Sequence, residues 1–170
     1  MENKIHVVSN IIYNDPAYGN IKKIFYVLKD IQFGIDLNRN WFQLKEDNEN
    51  IILLKNELIS DEINDSILSL LETSINNFKY SLEIALKNNN ISTALADTFP
   101  YELIIFNGLH SESDWWVTLS LNWLMDLSIK KQYNYAPIIT MIEKIKNNKA
   151  YSQGIRHKAN KVLIKYREFS

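Results

Sequence analysis

Residues 111–129 read SESDWWVTLSLNWLMDLSI, and this stretch decides the predicted fold. Placed on a helix at about 100° per residue, its apolar residues cover more than half of the circumference. The centre of that arc holds Trp116, Leu119, Ser120, Trp123, Leu124 and Leu127, with Val117 and Leu121 beside it. A helix this widely apolar needs neighbours on several sides, so we expect it to lie at the centre of the fold.

The opposite strip of this helix is polar and carries one aromatic residue. It holds Thr118, Asn122 and Asp126, and Trp115 projects into it. An exposed Trp among acidic residues is typical of an anchor in a protein interface. Two plainer interpretations stay open: an adjacent helix covers Trp115, or the strip is a solvated face without a partner.

The same apolar design returns 39 residues later in the chain. There Ile155-Arg156-x-x-Ala159-x-x-Val162-Leu163 parallels Trp116-Val117-x-x-Ser120-x-x-Trp123-Leu124. Pro100 and Pro137 each suit the first turn of a helix. Each of these two helices comes just before one of the parallel segments. Residues 100–170 are therefore predicted to form two stacked helical hairpins, with Trp116, Trp123, Ile155 and Leu163 buried between the layers.

The remaining segments are also predicted to be mainly helical, because their apolar residues recur at spacings of about three and four. Predicted helices cover residues 3–13, 20–33 (ended by Gly34), 60–87, 101–109, 137–146 and 152–168. Between them, 91–97 is a short turn or helix, 130–134 a loop, and 51–54 either a helix or a short buried strand, with helix favoured. The fold class predicted is all-α, as one domain over residues 1–170 with an irregular helical half at 1–99.

The second hairpin resembles a known repeat. Residues 155–163 resemble the second helix of a HEAT repeat, in which a branched residue, an Arg, a small residue and a Leu recur at this spacing. The first hairpin departs from that pattern, since Val117 replaces the Arg and two Trp residues are large substitutes. The resemblance covers residues 100–170 and implies an α-α superhelix of antiparallel hairpins, HEAT- or armadillo-like in the C-terminal half.

Charge is distributed unevenly, although the net charge is only −1. Residues 1–126 carry 18 acids and 9 bases, whereas residues 127–170 carry 2 acids and 10 bases. No Lys or Arg occurs from Asn88 to Ile129. The absence of Cys excludes a disulfide framework and fits a cytoplasmic protein. No apolar run is long enough for a membrane span, and Ser9 and Asn10 interrupt the N-terminal apolar residues, which disfavours a signal peptide.

No motif in the sequence indicates a particular reaction. We therefore predict a protein that is not an enzyme and needs no cofactor. His6, His110 and His157 are widely separated, which disfavours a metal site. Ser128 and Lys131 match the S-x-x-K pattern formally, but they lack every supporting motif.

Small, Cys-free, helical proteins of this style resemble the immunity proteins of bacterial contact-dependent growth inhibition and other polymorphic toxin–immunity systems. The resemblance implies a protein that binds one cognate toxin domain, often a nuclease, and blocks its active site. An acidic surface would suit such a basic partner. The predicted partner-binding residues are Asp97, Glu102, Glu112, Asp114, Trp115, Asn122 and Asp126.

The alternative is a HEAT-like nucleic-acid-binding protein, including the DNA glycosylases that read damaged bases on such scaffolds. Trp115 with Asp114 or Asp126 would then form the base site, and the phosphate contacts would come from Lys158, Lys161, Lys165 and Arg167. The overall charge disfavours nucleic acid as a partner, since such proteins normally present a broad positive surface. A fragment of a longer scaffold is also disfavoured, because 170 residues with a distinct N-terminal half are typical of a whole protein.

Overall fold

The structure, a computed structural model, describes residues 5–28, 31–45, 51–54, 65–127 and 136–167. An antiparallel sheet of six strands occupies the N-terminal part of the chain, and α-helices occupy the remainder. The predicted all-α superhelix is therefore wrong, because the protein is a mixture of sheet and helix. The predicted start of a helix near residue 60 and the predicted loop at 130–134 lie outside the described residues.

The strands pair in the order β1-β3-β4-β5-β6, and β2 also pairs with β3. Their bounds are β1 His6–Val7, β2 Ile12–Asp15, β3 Gly19–Leu28, β4 Ile31–Asp36, β5 Trp41–Lys45 and β6 Ile51–Leu53. A turn joins β2 to β3, where Asp15 Oδ1 accepts hydrogen bonds from the backbone N–H groups of Ala17 and Tyr18. Gly19 has a φ of +74°, a conformation that favours glycine.

A β-bulge explains why the segment 20–33 has the periodicity of a helix. Lys23 pairs with Gly34, but the next partners are Phe25 and Phe33, so two residues of β3 oppose one of β4. The bulge leaves Ile24 and Phe25 both fully buried. With Ile21, buried on the opposite face of the sheet, they reproduce the i, i+3, i+4 spacing of an amphipathic helix.

Three further predictions in the N-terminal half are wrong. The helix predicted at 3–13 is absent from the described part of that segment, where His6–Val7 form β1 and Ile12 begins β2. Gly34 does not end a helix; it lies inside β4, where an added Cβ would stand 2.7 Å from Ile21 Cγ2. Residues 51–53 form β6, so the strand that was the second choice for this segment is the correct one. Trp41, Phe42 and Leu44 of β5 are all buried.

The helices of the C-terminal half begin and end close to their predicted positions. Their bounds are α1 Ile75–Asn88, α2 Tyr101–His110, α3 Asp114–Asp126, α4 Ala136–Asn147 and α5 Gln153–Arg167. The long helix predicted at 60–87 is interrupted, because a 3₁₀ helix at Asp65–Glu72 ends before Ser74 caps α1. A second 3₁₀ helix spans Thr93–Thr98. Among the described helices, none combines the length and the apolar content that crossing a lipid bilayer requires.

Helices α2 to α5 form two pairs, and the two pairs also contact each other. Helix α2 contacts α3, and α4 contacts α5, while α2 also contacts α4 and α3 also contacts α5. Helix α1 lies between this group and the sheet, since it contacts β1 and β3 as well as α3. This position makes α1 the element through which the two halves share a core.

Aromatic rings form the centre of that shared core. Phe25 of β3 stacks on Phe33 of β4 with ring centroids 4.6 Å apart, and Phe78 of α1 lies 5.6 Å from Trp123 of α3. Trp123 Nε1 donates a hydrogen bond of 2.8 Å to the carbonyl oxygen of Thr73. The expectation that the Trp-rich helix is central is confirmed, although Trp116, expected in the core, is only partly buried.

Candidate partner-binding site

Trp115 is the largest exposed aromatic side chain on α3. Its exposed fraction is 58%, whereas Val117, Leu121 and Leu124 of the same helix are fully buried. Trp115 therefore projects away from the core, as the helical projection predicted, and the plainer interpretation that a neighbouring helix covers it is wrong for the described residues. A partner that covers an exposed apolar ring of this size gains binding free energy, because apolar area is removed from water.

Two acidic residues precede Trp115 where α3 begins. Glu112 and Asp114 are both exposed, one before the helix and one in its first turn. Asp114 also stabilises the helix, because its negative charge lies near the positive end of the helix dipole. Asp126 is exposed at the other end of α3, about 18 Å away at the rise of an α-helix. A single interface of ordinary size covers that length.

The middle of the polar strip of α3 is tied to α5. Asn122 is partly buried, and its Oδ1 accepts a hydrogen bond of 2.7 Å from Lys158 Nζ. Below it, Lys165 Nζ donates to the carbonyl oxygens of Leu124, Met125 and Leu127 at 3.3, 2.5 and 3.0 Å. The polar strip of α3 thus lies beside Lys158 and Lys165 of α5.

Two predicted site residues lie elsewhere. Asp97 is on the second 3₁₀ helix, which packs against α1, and its carboxylate forms an ion pair of 2.5 Å with Lys79. Glu102 is only 3% exposed within α2, so its assignment to a partner surface is wrong. Burial raises the pKa of the Glu102 carboxyl, and a backbone hydrogen bond opposes this effect. Its Oε2 has no hydrogen-bond partner among the described residues.

The structure therefore brings together five of the seven predicted residues on α3 and the turn before it: Glu112, Asp114, Trp115, Asn122 and Asp126. Met125, which the prediction did not include, is 37% exposed on the same helix. Trp and Met are both enriched in protein interfaces. These six residues are called the α3 surface below.

Two of the four basic residues of the nucleic-acid alternative have other contacts. Lys158 and Lys165 are occupied by α3, while Lys161 and Arg167 are exposed. A cation already bound to carbonyl or amide oxygens gains less from a phosphate, because it must give up those hydrogen bonds first.

The three His residues lie on different elements. His6 of β1 stacks on Tyr26, His110 ends α2, and His157 lies beside Gln153 on α5. Within the described ranges, no three His, Cys, Asp or Glu side chains come together as metal ligands would.

Comparison of the chain with protein-family models, with curated proteins and with solved structures found no match. Any function must therefore be inferred from the residues themselves.

Proposed function

We propose that this protein is a binding protein of the immunity class, which covers the active site of a cognate toxin domain with its α3 surface. The observation that carries the proposal is the exposed Trp115, which directly follows the exposed acids Glu112 and Asp114, on a helix whose other faces are packed. A rigid aromatic on a buried helix is preorganised, so little conformational entropy is lost when a partner covers it.

The charge of the α3 surface indicates the chemistry of the partner. Its ionisable members are Glu112, Asp114 and Asp126, and no Lys or Arg occurs in the sequence from Asn88 to Ile129. A nuclease must hold a polyanionic substrate, so its active-site cleft is positively charged. Carboxylates presented to such a cleft speed association and favour this partner over neutral or acidic proteins.

An immunity protein of this kind acts in the cytoplasm, where a delivered nuclease meets its substrate. A sequence without Cys is compatible with that reducing compartment. The immunity resemblance and the glycosylase alternative both rested on an all-helical scaffold, which the six-stranded sheet contradicts. The immunity proposal is kept because it stands on the exposed α3 surface. The nucleic-acid alternative is set aside because Lys158 and Lys165 already bind oxygen atoms of α3.

The test first determines whether a toxin domain is encoded beside the gene, and then titrates the wild-type protein and two aromatic variants against that domain. Trp115→Ala should weaken binding about 30-fold, which corresponds to a loss of about 2 kcal/mol. Tyr80→Ala is the matched control, because Tyr80 is 66% exposed on α1 and does not belong to the α3 surface. Calorimetry gives the affinities, and survival of toxin-expressing cells gives the protection.

The control variant should bind and protect as the wild type does. Equal binding by the Trp115 variant would move the interface away from α3, whereas a wild-type protein that fails to bind and protect would remove the immunity proposal itself. Circular dichroism of each variant should show unchanged helix content, since both side chains are exposed.

A further inference from the structure

A cleft of about 630 Å³ lies where the sheet meets the C-terminal end of α1. This volume is within the range of pockets that bind small molecules. The described residues that line it come from β2, β3, β4, the β4–β5 turn and the segment 89–95, and none belongs to α3. The cleft is therefore distinct from the α3 surface.

The apolar wall of the cleft is entirely aliphatic. It consists of Ile12, Ile35, Leu37, Ile91, Ala94 and Leu95. Leu37 and Ile12 are 89% and 63% exposed, which makes Leu37 the most exposed large apolar side chain among the described residues. A ligand that covered these two would remove apolar area from water at about 25 cal/mol per Å². No aromatic ring is among the described lining residues, so the wall suits a flexible aliphatic chain better than a planar ring.

Two cations stand in the same cleft. Lys22 Nζ donates one hydrogen bond of 2.6 Å to the carbonyl oxygen of Asn89, and an ammonium group has three N–H donors in all. Arg39 makes no side-chain hydrogen bond or ion pair with any other described residue, and its side chain is exposed. Its guanidinium carries donors in a planar fork that matches a carboxylate.

The only described carboxylate in the lining, Asp36, is already engaged in the β4–β5 turn. Its Oδ1 and Oδ2 accept hydrogen bonds of 2.8 and 2.9 Å from the backbone N–H and the side-chain amide of Asn40. The same turn holds Arg39, whose backbone N–H donates to the carbonyl oxygen of Asp36 at 3.1 Å. Arg39 has a φ of +69°, in the left-handed region of backbone conformation. The turn therefore sets the direction of its Cα–Cβ bond.

We propose that the cleft is a binding site for a small aliphatic carboxylate. The chain of the ligand lies along the aliphatic wall, and its carboxylate binds Arg39 with Lys22 as a second donor. The proposal is independent of toxin binding, because the two sites share no residue.

The test uses three compounds with the same chain, octanoate, octanol and octylamine, and the full-length protein. Octanoate should shift the backbone amide NMR signals of residues 35–39 and 91–95, and calorimetry should give an affinity at least about tenfold higher than for octanol. Octylamine should bind more weakly still, because its charge has the same sign as Arg39 and Lys22. Added salt should weaken octanoate binding and leave octanol binding unchanged.

Two variants and a control locate the site. Arg39→Gln should lower octanoate affinity about tenfold, and Arg167→Gln, an equally exposed Arg on α5, should leave it unchanged. Ala94→Trp places a large ring in the cleft at an exposed position and should abolish binding. Equal affinity for octanoate and octanol, or full octanoate binding by either cleft variant, would overturn the proposal.

Discussion

Asn89 Nδ2 donates a hydrogen bond of 2.6 Å to the carbonyl oxygen of Val8, a residue 81 positions away in the sequence. The same side chain donates to Ala85 O at 2.9 Å, and its Oδ1 accepts from the backbone N–H of Asn10 at 3.1 Å. Asn89 is fully buried, so one amide satisfies three backbone groups where the β1–β2 segment meets the end of α1. This contact is a polar joint between the sheet and the helices.

Asn89→Ala should therefore destabilise the protein by about 2–4 kcal/mol, because it leaves backbone groups of Val8 and Asn10 without partners. Asn88→Ala is the matched control, since that neighbour is exposed. Urea unfolding followed by circular dichroism measures both. A loss at Asn89 no larger than at Asn88 would show that water replaces the amide at little cost.

The sequence predicted the helices of the C-terminal half because their boundaries are clear and, apart from α2, each has an apolar and a polar face. Pro100 opens α2, and the run Asn88-Asn89-Asn90 ends α1. The sheet was missed because β4 and β5 are buried on both faces and β3 carries a bulge. Strands of this kind lack the alternation that distinguishes a strand from a helix.

The candidate site was predicted in part for related reasons. The exposure of Trp115 follows from its angle on an amphipathic helix, which the sequence gives directly. Glu102 was wrongly predicted to lie on the partner surface, because α2 is buried on nearly every side. Its sequence YELIIFNGLH has almost no polar face, so the pattern does not show which side faces solvent. The ion pair between Asp97 and Lys79 joins the second 3₁₀ helix to α1, so the sequence pattern of neither segment alone predicts it.

Gly34→Ala should destabilise the sheet by about 1–3 kcal/mol. The new Cβ would lie 2.7 Å from Ile21 Cγ2 and 2.9 Å from the carbonyl oxygen of Lys22, and the backbone atom cannot move without disturbing β3. Gly154→Ala on α5 is the control, because the nearest atom there is 3.9 Å away. Its unfolding free energy should stay equal or rise, since Ala favours a helix. Thermal melts of both variants decide the comparison.

Glu102→Gln should remove a pH dependence of stability. Burial raises the pKa of this carboxyl above its usual value of 4.5, so the folded state binds the proton more tightly than the unfolded state does. The stability that Glu102 contributes is complete below pH 4.5 and is lost as the pH rises through the raised pKa. The Gln variant should therefore be more stable than the wild type at neutral pH.

Urea titrations on both sides of that range measure this difference. Glu112→Gln is the control, because Glu112 is exposed and its replacement should change neither the stability nor its pH profile. If the stability of the Glu102 variant depends on pH in the same way as that of the wild type, another group causes the dependence.

Lys165→Met should destabilise the C-terminal end of α3 by about 0.5–2 kcal/mol. The ammonium group binds three carbonyl oxygens at that end, which have no partner within the helix. Lys161→Met, one turn away and exposed, should have little effect. Hydrogen exchange of the last turn of α3 reports the change directly, and equal protection in the two variants would refute the capping role.

The last prediction concerns the rate at which the toxin domain binds, and it rests on the proposed function. Glu112→Lys with Asp114→Lys should slow association about tenfold or more at low salt, because a basic partner is then repelled during the encounter. The difference should shrink as salt rises, since exposed charges more than about 10 Å apart are screened at 0.1 M ionic strength. Dissociation should change less, because Trp115 and its buried contact area remain.

Charge reversal elsewhere distinguishes a local effect from one of net charge. Glu83→Lys with Glu143→Lys changes the net charge by the same amount on α1 and α4, and it should alter the association rate much less. Stopped-flow measurements at two salt concentrations compare both pairs with the wild type. If the two double variants slow association equally, the partner responds to the overall charge of the protein, and the α3 surface has no special role in the encounter.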